Sequence, residues 1–420
     1  MGNQVRRKRQ RALLVAVMAL LTATDVAADP RRASGRAGTP AQSLHDAVAS
    51  AWERLPQRRA FAARQASAGA RYAAGGALLP NAPSINGSYV NDKAAGSNYN
   101  YITSQIELST PVWLPGEGTA TQSLAQADSA AAAAMAEAAH LALAAQVLDL
   151  AVQAALAANA RDVALRRLTT DKALAGDLAR RFRLGESSQS DFLAASAEAA
   201  SAEAASQGAE AQLAAARLAV AALTGTDAVP RLDLPVRAAA VTDPVAAHPR
   251  VVAAERSVAA AQANARLVRI ANRDDPEVGL QGVNEKQPGS QWDTRVGVTL
   301  SFHFATEARN APRRAEAEQA VTQAEVQLAL ARREVAATVK QAKAMLAGAE
   351  AGSAAAGRAA AELEQRRGQI ERAWRLGEMP LIELVRANGL AFDAAFARDK
   401  ARTDRDAALL QLRLALGILP

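Results

Sequence analysis

The sequence predicts a mostly α-helical fold with a small β part, built from two copies of one structural unit. The run Arg-Leu-Gly-Glu at residues 183–186 recurs at residues 375–378, which is 192 residues later. The same spacing relates Leu108 to Leu300 and Gly225 to Gly417. A constant offset over most of a chain indicates an internal duplication rather than two unrelated domains. Alanine-rich stretches and an aromatic content of 4% favour long, closely packed helices over large globular cores.

Residues 1–28 are predicted to be a secretory signal peptide. Basic residues precede the 12-residue apolar run 12–23, and Val26-Ala27-Ala28 offers small residues for cleavage before Asp29. A run of 12 is too short for a transmembrane helix, which needs about 20 residues. A basic nucleic-acid-binding tail is the alternative, but such tails lack an apolar run. Cleavage removes five basic residues and one acid and lowers the formal charge from +7 to +3, so no nucleic-acid partner is expected.

Sites for catalysis or metal binding are not expected. The chain has no cysteine, which excludes disulfides and thiolate metal ligands. The four histidines are scattered, without a pair at ligand spacing. No nucleophile lies beside a base, and no glycine-rich phosphate loop is present. The sequence therefore predicts neither an enzyme nor a protein with a cofactor or metal.

Repeat 1 is predicted to cover residues 41–230, after a flexible segment at 29–40. Its helical pattern over 41–78 ends at a Pro-Asn-Ala-Pro run. Two strands, 84–91 and 99–110, flank a polar turn at 94–98. A very long helix, about 119–181, then turns at 185–190 into a return helix, 191–223.

Repeat 2 is predicted to cover residues 246–420, after a linker at 231–245. Its elements follow the same order: a helix, two strands, a very long helix and a return helix. They are predicted at 246–272, 276–285, 291–304, about 308–374 and 381–416.

The last strand carries the clearest β pattern. Apolar and polar residues alternate over 13 positions, which predicts a strand with one apolar face. The apolar face is bounded by aromatic residues, as in girdles at a membrane–water boundary; its members are Trp292, Thr294, Val296, Val298, Leu300, Phe302 and Phe304. A surface hairpin of a soluble protein is the alternative interpretation.

The long helix of repeat 2 carries a seven-residue pattern that predicts coiled-coil packing through small residues. One stripe consists of Val321, Leu328, Val335, Ala342, Ala349, Ala356, Leu363 and Ile370. The second stripe is predicted three residues later, at Ala324, Ala331, Thr338, Met345, Gly352 and Ala359. A helix of this length spans roughly 100 Å at about 1.5 Å per residue, which few soluble folds need.

Four strands do not close a membrane barrel, because an open edge in lipid leaves backbone groups without hydrogen-bond partners. If the strands enter a membrane, several copies of the chain must pool them. Two copies give eight strands, whose interior is filled by side chains, and three give twelve. A conducting pore therefore favours three or more copies.

At this point the sequence resembles the TolC-type outer-membrane efflux proteins over nearly all of the mature chain. The resemblance depends on the signal peptide, the duplication, the hairpin in each repeat, and the Leu-Ser-Thr-Pro run at 108–111. It also depends on a turn motif, which stands here as Phe182, Gly185, Ser188 and Asp191, and again as Trp374, Gly377, Pro380 and Glu383. The resemblance implies a homotrimer in the outer membrane, with a twelve-stranded β-barrel formed by four strands from each chain and a periplasmic barrel of coiled-coil-like helices. It also implies a periplasmic adaptor, an inner-membrane pump and contact with outer-membrane lipid.

The resemblance places the two turns at the periplasmic tips of the helical hairpins. The residues expected to dock the adaptor are Arg183, Leu184, Gly185, Arg375, Leu376 and Gly377. Those expected at the periplasmic entrance are Ser190, Asp191, Trp374, Glu383 and Arg386. Physically, the glycines also suit helix C-caps, and Glu383 also suits an ordinary solvated helix position.

The chain departs from the family pattern at three of these positions. Trp374 stands where a tyrosine is common, and Met379 where a gating arginine can stand. Arg386 replaces a second acid and would partly neutralise Glu383.

The sequence leaves several functions open. A tripartite efflux channel is the leading hypothesis, and a soluble periplasmic coiled-coil adaptor or scaffold is the alternative from another class. A type I polypeptide secretion channel would use the same fold. The compact chain, without a long carboxy-terminal extension, favours export of heavy metals or small molecules.

Overall fold

The fold is described from a computed structural model, which covers residues 42–93, 99, 101–232 and 243–420. The predicted signal peptide (1–28), the segment 29–40 and the turn 94–98 lie outside the described residues. Most of the predicted linker, 231–245, lies outside them as well.

Repeat 1 begins with two helices instead of the single predicted one. Helix α1 (Leu44–Arg54) is followed by α2 (Gln57–Gly75). The prediction of one helix over 41–78 was wrong because Pro56 disfavours helical backbone at the residue before it. Leu55 accordingly has an extended conformation, with φ −68° and ψ 117°. The remaining elements are β1 (Ser84–Asn91), β2 (Ile102–Pro111), α3 (Glu117–Arg183) and α4 (Gln189–Thr224).

Repeat 2 has the same order with one helix at its start. Its elements are α5 (Pro249–Ile270), β3 (Glu277–Lys286), β4 (Asp293–Ser301), α6 (Glu307–Arg375) and α7 (Leu381–Ala415). Strand β4 is shorter than the predicted 291–304, so Phe302 and Phe304 continue the alternating pattern beyond its end. The predicted fold class, mostly α-helical with a small β part, is confirmed.

The strands form one antiparallel sheet in the order β1-β2-β3-β4. Each repeat supplies a pair, and β2 pairs with β3, which joins the repeats in one sheet. The β2–β3 ladder runs from Ile102 opposite Lys286 to Pro111 opposite Glu277. Among the described strands, β1 and β4 each have one edge without a partner.

The helices pack as two antiparallel pairs, α3 with α4 and α6 with α7, and α7 also packs against α3. The largest cluster of buried residues lies where α1, α3 and α7 meet. Its interior includes Val147, Leu148 and Leu410, which are each 1% exposed. Many other buried positions are alanine, so the helices approach closely without a thick core.

The seven-residue pattern of α6 marks the correct face, but its predicted second stripe is correct only at Ala324 and Ala331, which are half-buried. Positions such as Val335, Ala342 and Ile370 are buried as predicted. The four predicted positions from Thr338 onward are exposed: Thr338, Met345, Gly352 and Ala359. The second buried or half-buried stripe lies four residues after the first, at Val339, Leu346, Ser353, Ala360, Arg367 and Trp374. From Val339 onward the buried offset carries larger side chains such as Leu346 and Trp374, whereas the prediction followed the small residues.

Among the described helices, α3 alone is long and apolar enough to cross a membrane by length and composition, with a mean hydropathy of 1.7 over its most apolar 18 residues. Alanine supplies much of this apolarity. Because α3 packs along α2, α4, α5 and α7, we treat it as part of the helical layer.

Candidate functional site

The α3–α4 turn ends α3 with a Schellman motif. Gly185 has φ +77°, and its N–H donates to the carbonyl of Phe182 at 3.0 Å. The next N–H, of Glu186, donates to the carbonyl of Arg181 at 2.8 Å. Both bonds satisfy carbonyls that the end of a helix would otherwise leave without donors.

The α6–α7 turn has the same construction 192 residues later. Gly377 has φ +77°, and its N–H donates to the carbonyl of Trp374 at 3.0 Å. Glu378 N–H donates to the carbonyl of Ala373 at 2.9 Å. A Cβ at either turn glycine would meet no atom within 4 Å. The requirement for glycine is therefore the positive φ and not a lack of space.

The return helices begin differently in the two turns. In the first, the Ser188 hydroxyl accepts a hydrogen bond from Asp191 N–H at 3.0 Å. In the second, Pro380 occupies the N-cap position and provides no side-chain hydrogen bond. The first turn therefore has a capped return helix and the second does not.

Four of the five predicted entrance residues lie near the starts of α4 and α7, and the fifth, Trp374, lies at the end of α6. Ser190 is exposed, whereas Asp191 and Glu383 are half-buried. The Glu383 carboxylate lies 3.6 Å from the exposed Arg386 guanidinium. This distance permits only a weak surface ion pair.

The predicted docking residues present apolar side chains at the extreme ends of the hairpins. Leu184 is 73% exposed and Leu376 is 75% exposed. The adjacent arginines, Arg183 and Arg375, are exposed as well. Each hairpin tip therefore has an apolar side chain beside a cation, without a partner for the apolar side chain among the described residues.

Trp374 brings the two hairpins together near their tips. It packs against a cluster formed by Leu178 of α3, Ala195 of α4 and Leu381 of α7. The guanidinium of Arg181 lies over its ring, 4.9 Å from the centroid. Sequence analysis missed Arg181, because no local pattern shows that the ends of α3 and α6 meet.

A groove near the tips lies between α3 and α6, with α7 as its floor. Its volume is about 660 Å³, and its lining includes Arg367, Glu371 and Asn388. Asn388 is 5% exposed, and its side-chain oxygen has no hydrogen-bond partner among the described residues.

One face of the sheet is apolar across all four strands. Ile85, Leu108, Leu280 and Val298 are direct neighbours in one row. These side chains are between 47% and 75% exposed. A contiguous exposed apolar face of this kind marks contact with lipid or another protein.

The other face of the sheet is polar and internally hydrogen-bonded. Thr299 donates its hydroxyl proton to Glu107 at 2.6 Å, across β3. Ser109 donates to Glu277 at 3.2 Å. Alternation of an apolar and a polar face is the pattern of a membrane β-barrel wall.

Aromatic residues lie at both ends of the apolar face. Tyr89 and Trp292, 65% and 50% exposed, lie toward the hairpin turns. Phe302 and Phe304, 56% and 87% exposed, follow the end of β4 near the helices. This distribution matches the interfacial girdles of membrane barrels.

A carboxyl pair lies where the strands meet the helices. Burial raises the pKa of Glu117, at the start of α3, to about 7, and a hydrogen bond with Asp275 adds to the effect. One carboxyl oxygen of Glu117 is buried without another partner. Glu117 therefore holds a proton over much of the range below pH 7. Within the described ranges, no group of three or more potential metal-ligating side chains is found.

Comparison with solved structures identifies the fold. The chain superimposes on the Campylobacter jejuni CmeC outer membrane channel with a TM-score of 0.71 and 15% identity, covering 89% of this chain and 85% of CmeC. For the Neisseria gonorrhoeae MtrE outer membrane channel in its open state, the TM-score is 0.69 and the identity 21%, over 89% of each chain. For the Vibrio cholerae outer membrane protein VceC, the values are 0.68 and 18%, over 89% of this chain and 96% of VceC.

No protein-family model and no curated protein sequence matches the chain. The structural similarity covers about nine-tenths of the chain and includes both the sheet and the long helices. At the level of the fold, the resemblance seen in the sequence is confirmed: the chain has the fold of the outer-membrane efflux channels of the TolC type.

Proposed function

We propose that the protein is an outer-membrane channel of a Gram-negative bacterium that extends into the periplasm. The observation that carries this proposal is the four-stranded sheet, which has an exposed apolar face, a polar face and aromatic residues at both ends. A soluble protein would leave this apolar face in water, whereas a bilayer covers it. The strands have 8 to 10 residues, close to the 9–11 or so that cross a bilayer at a tilt.

The channel is formed by a homotrimer. The free edges of β1 and β4 would leave backbone groups without partners in lipid. Pairing β4 of one copy with β1 of the next closes a barrel of twelve strands in a trimer. The polar faces then line a pore, because twelve strands enclose more space than their side chains fill. The long helices continue the wall into the periplasm.

Within a tripartite efflux system, the channel receives substrate from an inner-membrane pump through a periplasmic adaptor. The hairpin tips are the proposed docking surface, because they end in the exposed side chains of Leu184 and Leu376 beside Arg183 and Arg375. An apolar side chain with a neighbouring cation suits a partner with apolar pockets and acidic rims. The turn glycines hold both tips in the same conformation.

The periplasmic entrance is bounded by the first turns of the return helices. Asp191 and Glu383 occupy equivalent positions there, with Ser190 and Arg386 beside them. The Arg386 charge partly cancels the field of Glu383, so each chain contributes the full negative charge of Asp191 and the partly neutralised charge of Glu383. Trp374 controls the entrance indirectly, by holding the second hairpin against the first.

Fractionation and cross-linking test the channel proposal. The mature chain should fractionate with the outer membrane, and cross-linking in mild detergent should give a limiting species of three chains. Recovery of the chain in the soluble periplasm would contradict the channel and favour an adaptor or scaffold. A monomer as the limiting species would contradict the pooled barrel.

Docking is tested separately by replacing Leu184 and Leu376 with serine. Export should fall and adaptor co-purification should be lost, while the yield of trimer in the outer membrane stays unchanged. The matched control is Leu218→Ser, which removes a leucine that is 69% exposed near the opposite end of α4. Equal export in the tip and control variants would remove the tips from the docking surface.

A further inference from the structure

A cluster of cations lies where β4 leads into α6. Arg309 and Arg313 are one turn apart at the start of α6, and Arg309 forms an ion pair with Asp274. The hydrogen bond from Arg309 lowers the pKa of Asp274, and the charges of Arg309, His303 and Arg313 lower it further. Arg273 precedes Asp274 and is exposed. We call Arg273, His303, Arg309 and Arg313 the basic elbow.

The basic elbow carries more positive charge than its acids neutralise. Asp274 pairs with Arg309, and the nearby Glu307 is paired with Arg314 at 2.5 Å. Neither Arg273 nor Arg313 forms a salt bridge with any residue in the described part of the chain. Two exposed guanidinium groups therefore lack a counter-ion.

A second acidic pair near the elbow contributes less negative charge than its two carboxyls suggest. Asp275 shares a hydrogen bond with Glu117, whose pKa is raised to about 7. Below pH 7 this pair keeps a proton and carries about one negative charge. That single negative charge is smaller than the two positive charges of Arg273 and Arg313, which are both exposed.

The internal duplication shows that the fold does not require these arginines. Repeat 1 builds the same strand-to-helix junction between β2 and α3. At the offset of 192, Glu117 occupies the position of Arg309 and Thr121 that of Arg313. At the upstream offset of 193, Pro80 occupies the position of Arg273. Repeat 1 thus forms the junction without a basic cluster, so its presence in repeat 2 needs a reason other than folding.

The position of the elbow indicates what it contacts. Phe302 and Phe304 follow the end of β4 and continue the apolar side of its alternating pattern, and they are largely exposed. His303 of the elbow lies between them, and Arg309 follows Phe304 by five residues. In the proposed channel, this places the elbow at the boundary between the hydrocarbon layer and the periplasm, at the depth of the lipid headgroups.

We propose that the basic elbow binds the phosphate groups of anionic phospholipids in the periplasmic leaflet of the outer membrane. Guanidinium groups form bidentate hydrogen bonds with phosphate oxygens, and clustered arginines beside a membrane span recognise anionic headgroups. The phenylalanines would lie among the acyl chains beneath the same headgroups. This inference rests on the proposed membrane insertion of the sheet.

The test measures phospholipid binding by the full mature protein in neutral detergent. Wild-type protein is titrated with phosphatidylglycerol or phosphatidylcholine in mixed micelles, and lipid phosphorus is counted after gel filtration. The protein should retain more phosphatidylglycerol than phosphatidylcholine. The double variant Arg273→Gln/Arg313→Gln should require roughly thirtyfold more phosphatidylglycerol for half-saturation, the ratio that corresponds to about 1 kcal/mol for each of the two arginines near the surface. Arg273→Lys/Arg313→Lys should lie between the two.

The matched control is Arg333→Gln/Arg358→Gln, which removes the same charge from exposed positions farther along α6. It should bind like the wild type. Equal retention of both lipids by the wild type, or unchanged binding by Arg273→Gln/Arg313→Gln, would overturn the proposal. If the protein is still found in the outer membrane, either of these results contradicts only the phospholipid site and not the channel. Recovery of the protein in the soluble periplasm would contradict both the channel and the phospholipid site.

Discussion

Replacing Arg181 by glutamine removes the cation that lies over Trp374 and leaves the ring in place. Arg181 also pairs with Asp177 at 3.0 Å, and a glutamine can still donate a hydrogen bond to that carboxylate. The matched control is Arg180→Gln, which removes the neighbouring partner of Asp177, at 3.3 Å, without touching the ring. The comparison isolates the contact between the two hairpins.

The side chain of Arg181 is 37% exposed, so its cation–π contact contributes about 0.5–1 kcal/mol. In the proposed trimer, three such contacts hold α6 and α7 against α3. If the entrance opens by separating the hairpins, all three contacts break, which amounts to roughly 1.5–3 kcal/mol. Removing them should raise the equilibrium between open and closed entrances roughly tenfold to hundredfold.

Single-channel recording in planar bilayers measures this equilibrium as the fraction of time spent at high conductance. Arg181→Gln should raise that fraction, and Arg180→Gln should leave it unchanged. Trp374→Leu should raise the open fraction less in the Arg181→Gln protein than in the wild type, because both changes remove the same contact. An unchanged open fraction in Arg181→Gln, or strictly additive effects, would refute the role of this contact.

Three further predictions concern the turns and two titrating groups. Gly185→Val with Gly377→Val should lower thermal stability, by at least about 1–2 kcal/mol at each turn from the positive φ, and should reduce export; unchanged export would reduce the glycines to dispensable caps. Burial and the charge of Arg250 lower the pKa of His248, whose ring accepts from Arg250 N–H at 3.2 Å. Because the unfolded chain takes up this proton more readily, melting temperature should fall as pH drops below about 6.5, and His248→Asn should flatten that slope. The raised pKa of Glu117 has the opposite effect on the pH dependence: the folded protein binds this proton more tightly, so stability should decline as pH rises from 4.5 toward 7. Glu117→Gln should be more stable than wild type at pH 8. An unchanged melting curve would contradict the burial of that carboxyl.

The sequence predicted the elements whose periodicity is local. The alternation around Val296 and Val298 identified β4, and the recurring Arg-Leu-Gly-Glu run identified both turns and the duplication. Helix α3 and helix α6 were placed to within two residues at each end. Glycines mark three of these four ends, at Gly116, Gly185 and Gly377, and the end of the alternating strand pattern marks the start of α6. In each case, a residue and its near neighbours carry the information.

Contacts between distant segments could not be predicted in the same way. Pairing of β2 with β3, and the packing of Trp374 against Arg181, depend on how the two repeats meet. The second stripe of α6 was misplaced from Thr338 onward because the prediction followed the small residues, whereas the side chains that face the other helices there include Val339, Leu346 and Trp374. The break at Pro56 is marked in the sequence by the proline itself, but the alanine-rich pattern on both sides of it favours a single helix.

The measurement that tests the central claim most directly is a disulfide between sheet edges of different copies. The chain has no cysteine, so Ser88→Cys on β1 can be combined in turn with a cysteine at each of the polar-face positions 293, 295, 297, 299 and 301 of β4, which cover the staggered registers that barrel closure requires. Oxidation of the outer-membrane protein should link one of these combinations into a covalent trimer, with dimer as the intermediate. Disulfides confined to single chains, or no linkage at any register, would contradict a barrel pooled from three copies.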